Sequence, residues 1–167
     1  MLGRSGDVAF RETLYLMTLA FGRLRRFREV FGRAIALTPP QFVVLIGTAH
    51  CQGAHGVSIR ELAEHTQLAA THVTTEVGRL IGKGLLIKSV NAFDRRSLLV
   101  RLTPEGEAAI RDVAPLLRFV NDILFRNVSR REFAVVGRFL RRFARNSEDA
   151  LAAIDRRERR RRRRRRS

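Results

Sequence analysis

The side chains in this 167-residue sequence that are most able to do chemistry fall into a few groups. His50, Cys51 and His55, with His65 nearby, offer two imidazoles and a thiolate for zinc, and a Cys51 of lowered pKa would react with peroxide. Their spacing matches no standard closed zinc site, and a lone cysteine at a helix end is most often a small buried apolar residue. Metal or redox sensing is therefore an alternative reading, and neither a metal nor a cofactor is expected. Carboxylates are plentiful, but Glu105 and Glu107 sit at a helix start, where the dipole favours acids. There is no Gly-rich phosphate loop before a helix, no paired-His metalloprotease motif and no nucleophile elbow, so no catalytic residue is expected. What remains are Thr71, His72, Thr74, Thr75 and Arg79 in one segment and Asp94-Arg95-Arg96 in another. These residue types bond to base edges and phosphates.

The elements that must position them begin at a capping box. Ser58 can accept from the Glu61 amide while the Glu61 carboxylate reaches back to the Ser58 amide, which starts a helix at Ile59 with Leu62 and Ala63 as core anchors. After a polar turn around Thr66-Gln67, Val73, Val77, Leu80 and Ile81 form one apolar stripe on a second helix, ended by Gly82 and Gly84. The opposite face carries Thr71, Thr75, Gly78 and Arg79, with His72 at its margin and Thr74 nearer the apolar edge. Two β-compatible runs, Leu85 to Val90 and Ser97 to Leu102, then flank the polar loop Asn91 to Arg96 and predict a hairpin. Helix, turn, helix and a two-stranded hairpin with Asp94-Arg95-Arg96 at its tip make a winged helix-turn-helix, which points to duplex DNA.

Long helices flank this unit. Leu14, Met17, Phe21, Leu24, Phe31 and Ile35 follow Phe10 at helical spacing, and a second helix opens at Thr103-Pro104 with a kink expected between Arg111 and Pro115. A second capping box, Ser129 to Glu132, opens a last helix striped by Phe133, Val136, Leu140, Phe143 and Leu151. No small winged domain needs three such helices for its own core, so they are read as dimerisation helices. The fold class expected is mainly α with a small β-wing: one domain over 1–155, with the winged helix-turn-helix at about 38–103 and dimerisation helices at about 7–36 and 104–155. Residues 156–167 are expected to be a disordered Arg-rich tail that adds sequence-independent affinity. The net charge of +17 favours a polyanion partner, nucleic acid ahead of an anionic membrane. A single cysteine allows no internal disulfide, and no signal peptide or membrane span is read, so a cytoplasmic location is expected.

The run Leu37-Thr38-Pro39-Pro40-Gln41-Phe42-Val43-Val44-Leu45, the helix at Glu61-Leu62-Ala63, the helix end from Arg79-Leu80 to Lys83-Gly84-Leu85, Asp94-Arg95-Arg96, and Leu102-Thr103-Pro104-Glu105-Gly106 together resemble the MarR family of bacterial transcription regulators. Their order and spacing carry the resemblance. It implies a homodimeric, ligand-responsive repressor whose second helix reads the major groove of a double-stranded operator. It also implies that Arg96 enters the minor groove with Asp94 orienting it, and leaves Arg95 to a phosphate. Thr75 and Glu76 depart from the basic or neutral residues that family members often carry there. By position, the resemblance places a small anionic or aromatic effector among Tyr15, Phe21, Phe42, Leu45 and Arg111. The plainer reading of those apolar residues is core. A dimeric sensor or adaptor that works through protein contacts without DNA is the remaining alternative.

The two wing arginines are separable by experiment. Arg96→Ala is expected to weaken binding more at sites with A·T-rich flanks than at G·C-rich ones, because a narrow minor groove holds the most negative potential. Arg95→Ala is expected to weaken both alike. Binding titrations on the two flank types check this, and equal losses for both variants on both flanks would remove the distinction.

Overall fold

The computed structural model of the chain describes residues 4–90 and 98–164. In chain order the elements are helix α1 (Arg4–Ala34), α2 (Pro39–Cys51), strand β1 (Val57–Ser58), α3 (Ile59–Thr66), α4 (Ala70–Gly82), β2 (Leu86–Val90), β3 (Leu98–Leu102), α5 (Pro104–Leu124) and α6 (Arg130–Arg164). The chain divides into two compact units, residues 1–120 and 121–167. Among the described residues no single helix is long and apolar enough to cross a membrane.

Local chemistry starts and stops the helices of the first unit. α2 begins on a capping box: the Gln41 amide donates to Thr38 Oγ1 and the Thr38 amide donates to Gln41 Oε1. α3 begins on the Ser58–Glu61 box, with Glu61 N donating to Ser58 Oγ at 3.2 Å and Ser58 N donating to Glu61 Oε2 at 2.9 Å. α4 ends in a Schellman motif. Gly84 takes φ +73°, its amide donates to the Ile81 carbonyl, and the Leu85 amide donates to the Leu80 carbonyl. The two glycines that end the second helix in the sequence reading thus have different roles, and only Gly84 needs the left-handed conformation. α5 opens with the Gly106 amide donating to Thr103 Oγ1 at 3.0 Å and remains helical through Pro115.

The sheet has three antiparallel strands in the order β1-β3-β2, where a two-stranded hairpin was expected. Val57 pairs with Val100 and Ser58 with Leu99, while Lys88 faces Val100 from the other side. A two-residue strand is too short to show an alternation, which is why the sequence does not announce it. Gly56 permits it: at φ +104°, any Cβ there would lie 2.9 Å from Arg101 Cγ and 3.1 Å from Leu99 Cβ. The core of this unit collects Val44 and Leu45 of α2, Leu62 of α3, Val73, Val77 and Leu80 of α4, Val57 and Val100 of the sheet, and Val113 of α5, all essentially out of water. At roughly 1.5–3 kcal/mol for each large aliphatic side chain, this burial is the main stabilising contribution.

In the second unit, Ser129 and Glu132 form the expected capping box, with Glu132 N donating to Ser129 Oγ and Ser129 N to Glu132 Oε2. Phe125 and Phe133 meet edge to face at 5.2 Å. α6 runs through Arg164, so the disorder expected from Arg156 onward is corrected over Arg156–Arg164. Arginine is a strong helix former, extending an existing helix needs no new nucleation, and cations are favoured at a helix C-terminus. Phe133, Val136, Leu140, Phe143 and Leu151 on α6 are exposed, as are Phe10, Leu14, Phe21 and Leu24 on α1.

The α3 capping box has a pH signature. Hydrogen bonds from Ser58 hold the Glu61 carboxyl below its ordinary value of 4.5, so its contribution is present above that value and is lost as the pH falls through the lowered one. Ser58→Ala is expected to lower the unfolding free energy by about 1 kcal/mol at pH 7. Denaturant titrations should show the gap between the two proteins narrowing in acid. A gap that is independent of pH would mean the carboxylate is not part of the cap.

Candidate nucleic-acid interface

α3 and α4 are joined by a three-residue turn, Gln67 to Ala69, that starts with Gln67 in the left-handed region at φ 56°. The Gln67 side chain donates from Nε2 to the Glu64 carbonyl at 2.7 Å, which ties the turn to the helix it leaves. α3, α2 and the sheet then clamp the apolar stripe of α4. With Val73, Val77 and Leu80 fully buried, the helical period turns Thr71, His72, Thr74, Thr75, Gly78 and Arg79 to solvent, and all of them are exposed. The expected reading face is therefore one continuous surface.

Its chemistry is specific. The Thr74 hydroxyl donates to the Ala70 carbonyl at 2.9 Å and the Thr75 hydroxyl to the Thr71 carbonyl at 3.0 Å. With those protons engaged, each hydroxyl presents acceptor lone pairs and a methyl group, which suit the amino groups of adenine or cytosine and the methyl of thymine. Arg79 donates from Nη1 to Glu76 Oε1 at 2.7 Å, and His72 Nε2 stands 3.4 Å from the same oxygen. Glu76 is itself buried. Its place at a departure from the family pattern is thus a core position with a reach to the surface, and no base contact falls to it directly. The N-cap of α4 is Ala69, which gives no side-chain hydrogen bond, and the first turn carries no acid. The amides there keep their donors for an anion. Asp94, Arg95 and Arg96 lie outside the described residues.

The histidines and the cysteine do not converge. His50 stacks on His65 with ring centroids 4.9 Å apart, His55 is exposed, and among the described residues no three His, Cys, Asp or Glu side chains are placed to hold a metal. Burial, and then the negative charge of Glu61, push the Cys51 thiol above its ordinary value of 9.0. That is opposite to the low pKa a peroxide-reactive thiolate needs.

The five residues suggested for an effector are not gathered into one pocket. Phe42 and Leu45 are buried core, Tyr15 and Phe21 are exposed, and Arg111 is exposed beside Glu107, Nη1 to Oε2 at 3.6 Å. A cavity of about 160 Å³ instead lies where α1, α2 and α3 meet, lined by Arg28, Phe42, Val43, Ile46, Gly47, His65 and Thr66. Only Phe42 is common to both sets. Gly47 lets α2 and α3 approach there, since a Cβ would lie 2.9 Å from Thr66 Cγ2 and 3.0 Å from Leu62 Cδ1. Arg28 reaches the cavity only through the crossing of α1 with α2 and α3, for which the sequence carries no signal.

Residues 37–98 match the MarR family model. The fold is similar to the crystal structure of a MarR-family transcriptional regulator from Silicibacter pomeroyi, at 23% identity over 86% of this chain and 92% of that one, with a TM-score of 0.69. It is also similar to BpsR from Bordetella bronchiseptica, whose DNA binding is regulated by 6-hydroxynicotinic acid, at 25% identity over 78% and 91% of the two chains and a TM-score of 0.63. The transcriptional regulator PcaV from Streptomyces coelicolor, solved with its natural ligand, is similar at 26% identity over 77% and 91%, with a TM-score of 0.59. No curated protein matches the sequence.

Gly78 gives this face a direct test. It sits inside a helix, and a Cβ there would meet nothing within 4 Å, so the fold does not require glycine. Gly78→Ala is expected to stabilise the protein by about 0.5–1 kcal/mol through helix propensity alone. Thermal unfolding checks it, and a variant that melts lower would show that the backbone at Gly78 is more closely packed than described.

Proposed function

We propose that the chain, whose winged helix fold and match to the MarR family model over residues 37–98 agree, is a sequence-specific DNA-binding repressor of that family that acts as a homodimer and answers to a small anionic aromatic ligand. The observation that carries the proposal is the exposed face of α4, whose hydroxyl, imidazole and guanidinium groups point away from a fully buried stripe in a chain of net charge +17. Such a face meets base edges in a major groove, and the charge supplies the attraction to phosphates. The partner is a double-stranded operator, which places the protein in the cytoplasm. The exposed apolar stripes of α1 and α6 are buried by a second copy of the chain.

The effector reading moves to the cavity between α1, α2 and α3. Arg28 can meet a carboxylate while Phe42, Val43 and Ile46 take a ring face. Its volume is below the roughly 300 Å³ at which pockets for drug-sized ligands begin, which suits a small ligand. The 6-hydroxynicotinic acid named for the BpsR relative is a compound of that kind. A ligand there releases DNA only through its preference for one dimer geometry, so DNA must weaken ligand binding by the same factor. Arg156 to Arg164, held as helix, add affinity for any duplex by neutralising phosphates.

Footprinting and binding titrations test these claims. Two protected half-sites about 10 base pairs apart, centre to centre, are expected from two-fold symmetry. Protection of one isolated half-site by a monomer would defeat the dimer. The log–log salt dependence should be steep, at about 0.9 for each phosphate neutralised, and should flatten when the chain is truncated after Asp155. The absence of any salt dependence in the untruncated chain would favour an adaptor that works through protein contacts.

A further inference from the structure

Glu76 occupies a position that helical spacing assigns to the core. It is 2% exposed and lies beside Val73, Val77 and Leu80 on the inner side of α4. A carboxylate there costs free energy unless its charge is met, and an apolar side chain of similar volume would serve packing alone as well or better. The charge is met on one oxygen only. Oε1 takes Arg79 Nη1 at 2.7 Å and faces His72 Nε2 at 3.4 Å, while Oε2 is buried with no hydrogen-bond partner among the described residues. Both partners are rooted on the solvent side of the helix, with side chains 45% exposed for His72 and 60% for Arg79.

Residues 72, 76 and 79 follow one another at i, i+4 and i+7, along a single row at the border between the buried stripe and the exposed face. The row joins a rigid group to a flexible one. Glu76 is immobilised by burial, whereas an unpaired arginine on a helix surface samples many rotamers and reaches phosphates as readily as bases. Pinning one guanidinium nitrogen leaves the remaining donors of the planar fork in a fixed direction, and guanine O6 and N7 accept such a pair in the major groove. His72, near the same oxygen, narrows the range open to Arg79 on its other side.

We infer that Glu76 is a specificity-determining positioning residue, a buried carboxylate that aims Arg79 at one guanine in each half-site. The inference rests on α4 being the major-groove reader. It accounts for an otherwise unfavourable burial by a gain in discrimination, and it predicts that stability and specificity move in opposite directions when the carboxylate is removed.

Selection from randomised duplexes, run with wild type, Glu76→Leu, Glu76→Gln and Arg79→Ala, decides the matter when paired with thermal melts and affinity for random duplex. Wild type should require guanine at one position per half-site. Glu76→Leu and Arg79→Ala should both lose that requirement, with discrimination there falling about tenfold. Glu76→Leu should melt at or above wild type and keep its affinity for random duplex, an outcome that a merely structural role for Glu76 would not give. Glu76→Gln keeps an acceptor for Arg79 without the charge and should retain part of the preference, which also guards against a leucine variant that fails to fold. A wild-type motif retained in full by both Glu76 variants would overturn the inference alone. A wild type that selects no sequence would overturn the DNA reading and the inference with it.

Discussion

Everything α4 presents to solvent is set by the seating of Val73, Val77 and Leu80. Three fully buried side chains on one helical stripe leave the helix no rotational freedom, since a turn of even one residue position would carry the exposed Thr74 into an aliphatic core. α2, α3 and the sheet are the surfaces that receive the stripe, and their own boundaries are fixed locally by the capping boxes at Thr38 and Ser58 and the Schellman turn at Gly84. Burial and capping thus act at different ranges toward one result, a polar face with a defined heading.

The hairpin is attached to that face from both sides. Leu85 closes the Schellman turn at the end of α4, the Thr103 hydroxyl donates to the Gly84 carbonyl at 2.6 Å, and the Leu85 carbonyl accepts from the Thr103 amide at 3.1 Å. Gly106 completes the junction, because a Cβ there would fall 2.1 Å from the Leu85 carbonyl oxygen. Gln52, beyond the end of α2, accepts the Leu102 amide on its side-chain oxygen at 2.8 Å. A backbone donor at the sheet end is thereby satisfied by a residue fifty positions away, which links the wing to the helix that packs beneath the reading unit.

Much of this was legible in the sequence, and the reasons differ by element. Ser58 with Glu61 and Ser129 with Glu132 are short-range signals whose partners are three residues apart, so no tertiary knowledge is needed to read them. The stripe of α4 repeats often enough to fix its face. β1 failed that test at two residues, and Glu76 failed because a carboxylate at a core position is visible only once the surrounding packing is known. The run from Arg156 to Arg164 differs from its expectation through its charge: like charges oppose compaction, but extending a helix that is already nucleated requires none, and each further arginine adds one hydrogen bond without a new nucleation step. The cavity lining was not legible, because position along a helix does not say which helices meet, and Arg28 joins Phe42 and His65 only through the α1–α2–α3 crossing.

Ser58 belongs to two elements at once, as the last residue of β1 and the N-cap of α3. There is no linker between the sheet that carries the wing and the helix that begins the reading unit, and so no slack. A sideways displacement of β2 and β3 must pull on β1 and, at the next residue, on the first turn of α3. The sheet and the helix pair behave as a lever with a common fulcrum at Ser58. In the DNA-binding role proposed above, groove width at the flank and base identity at the centre would reach the protein as one mechanical load.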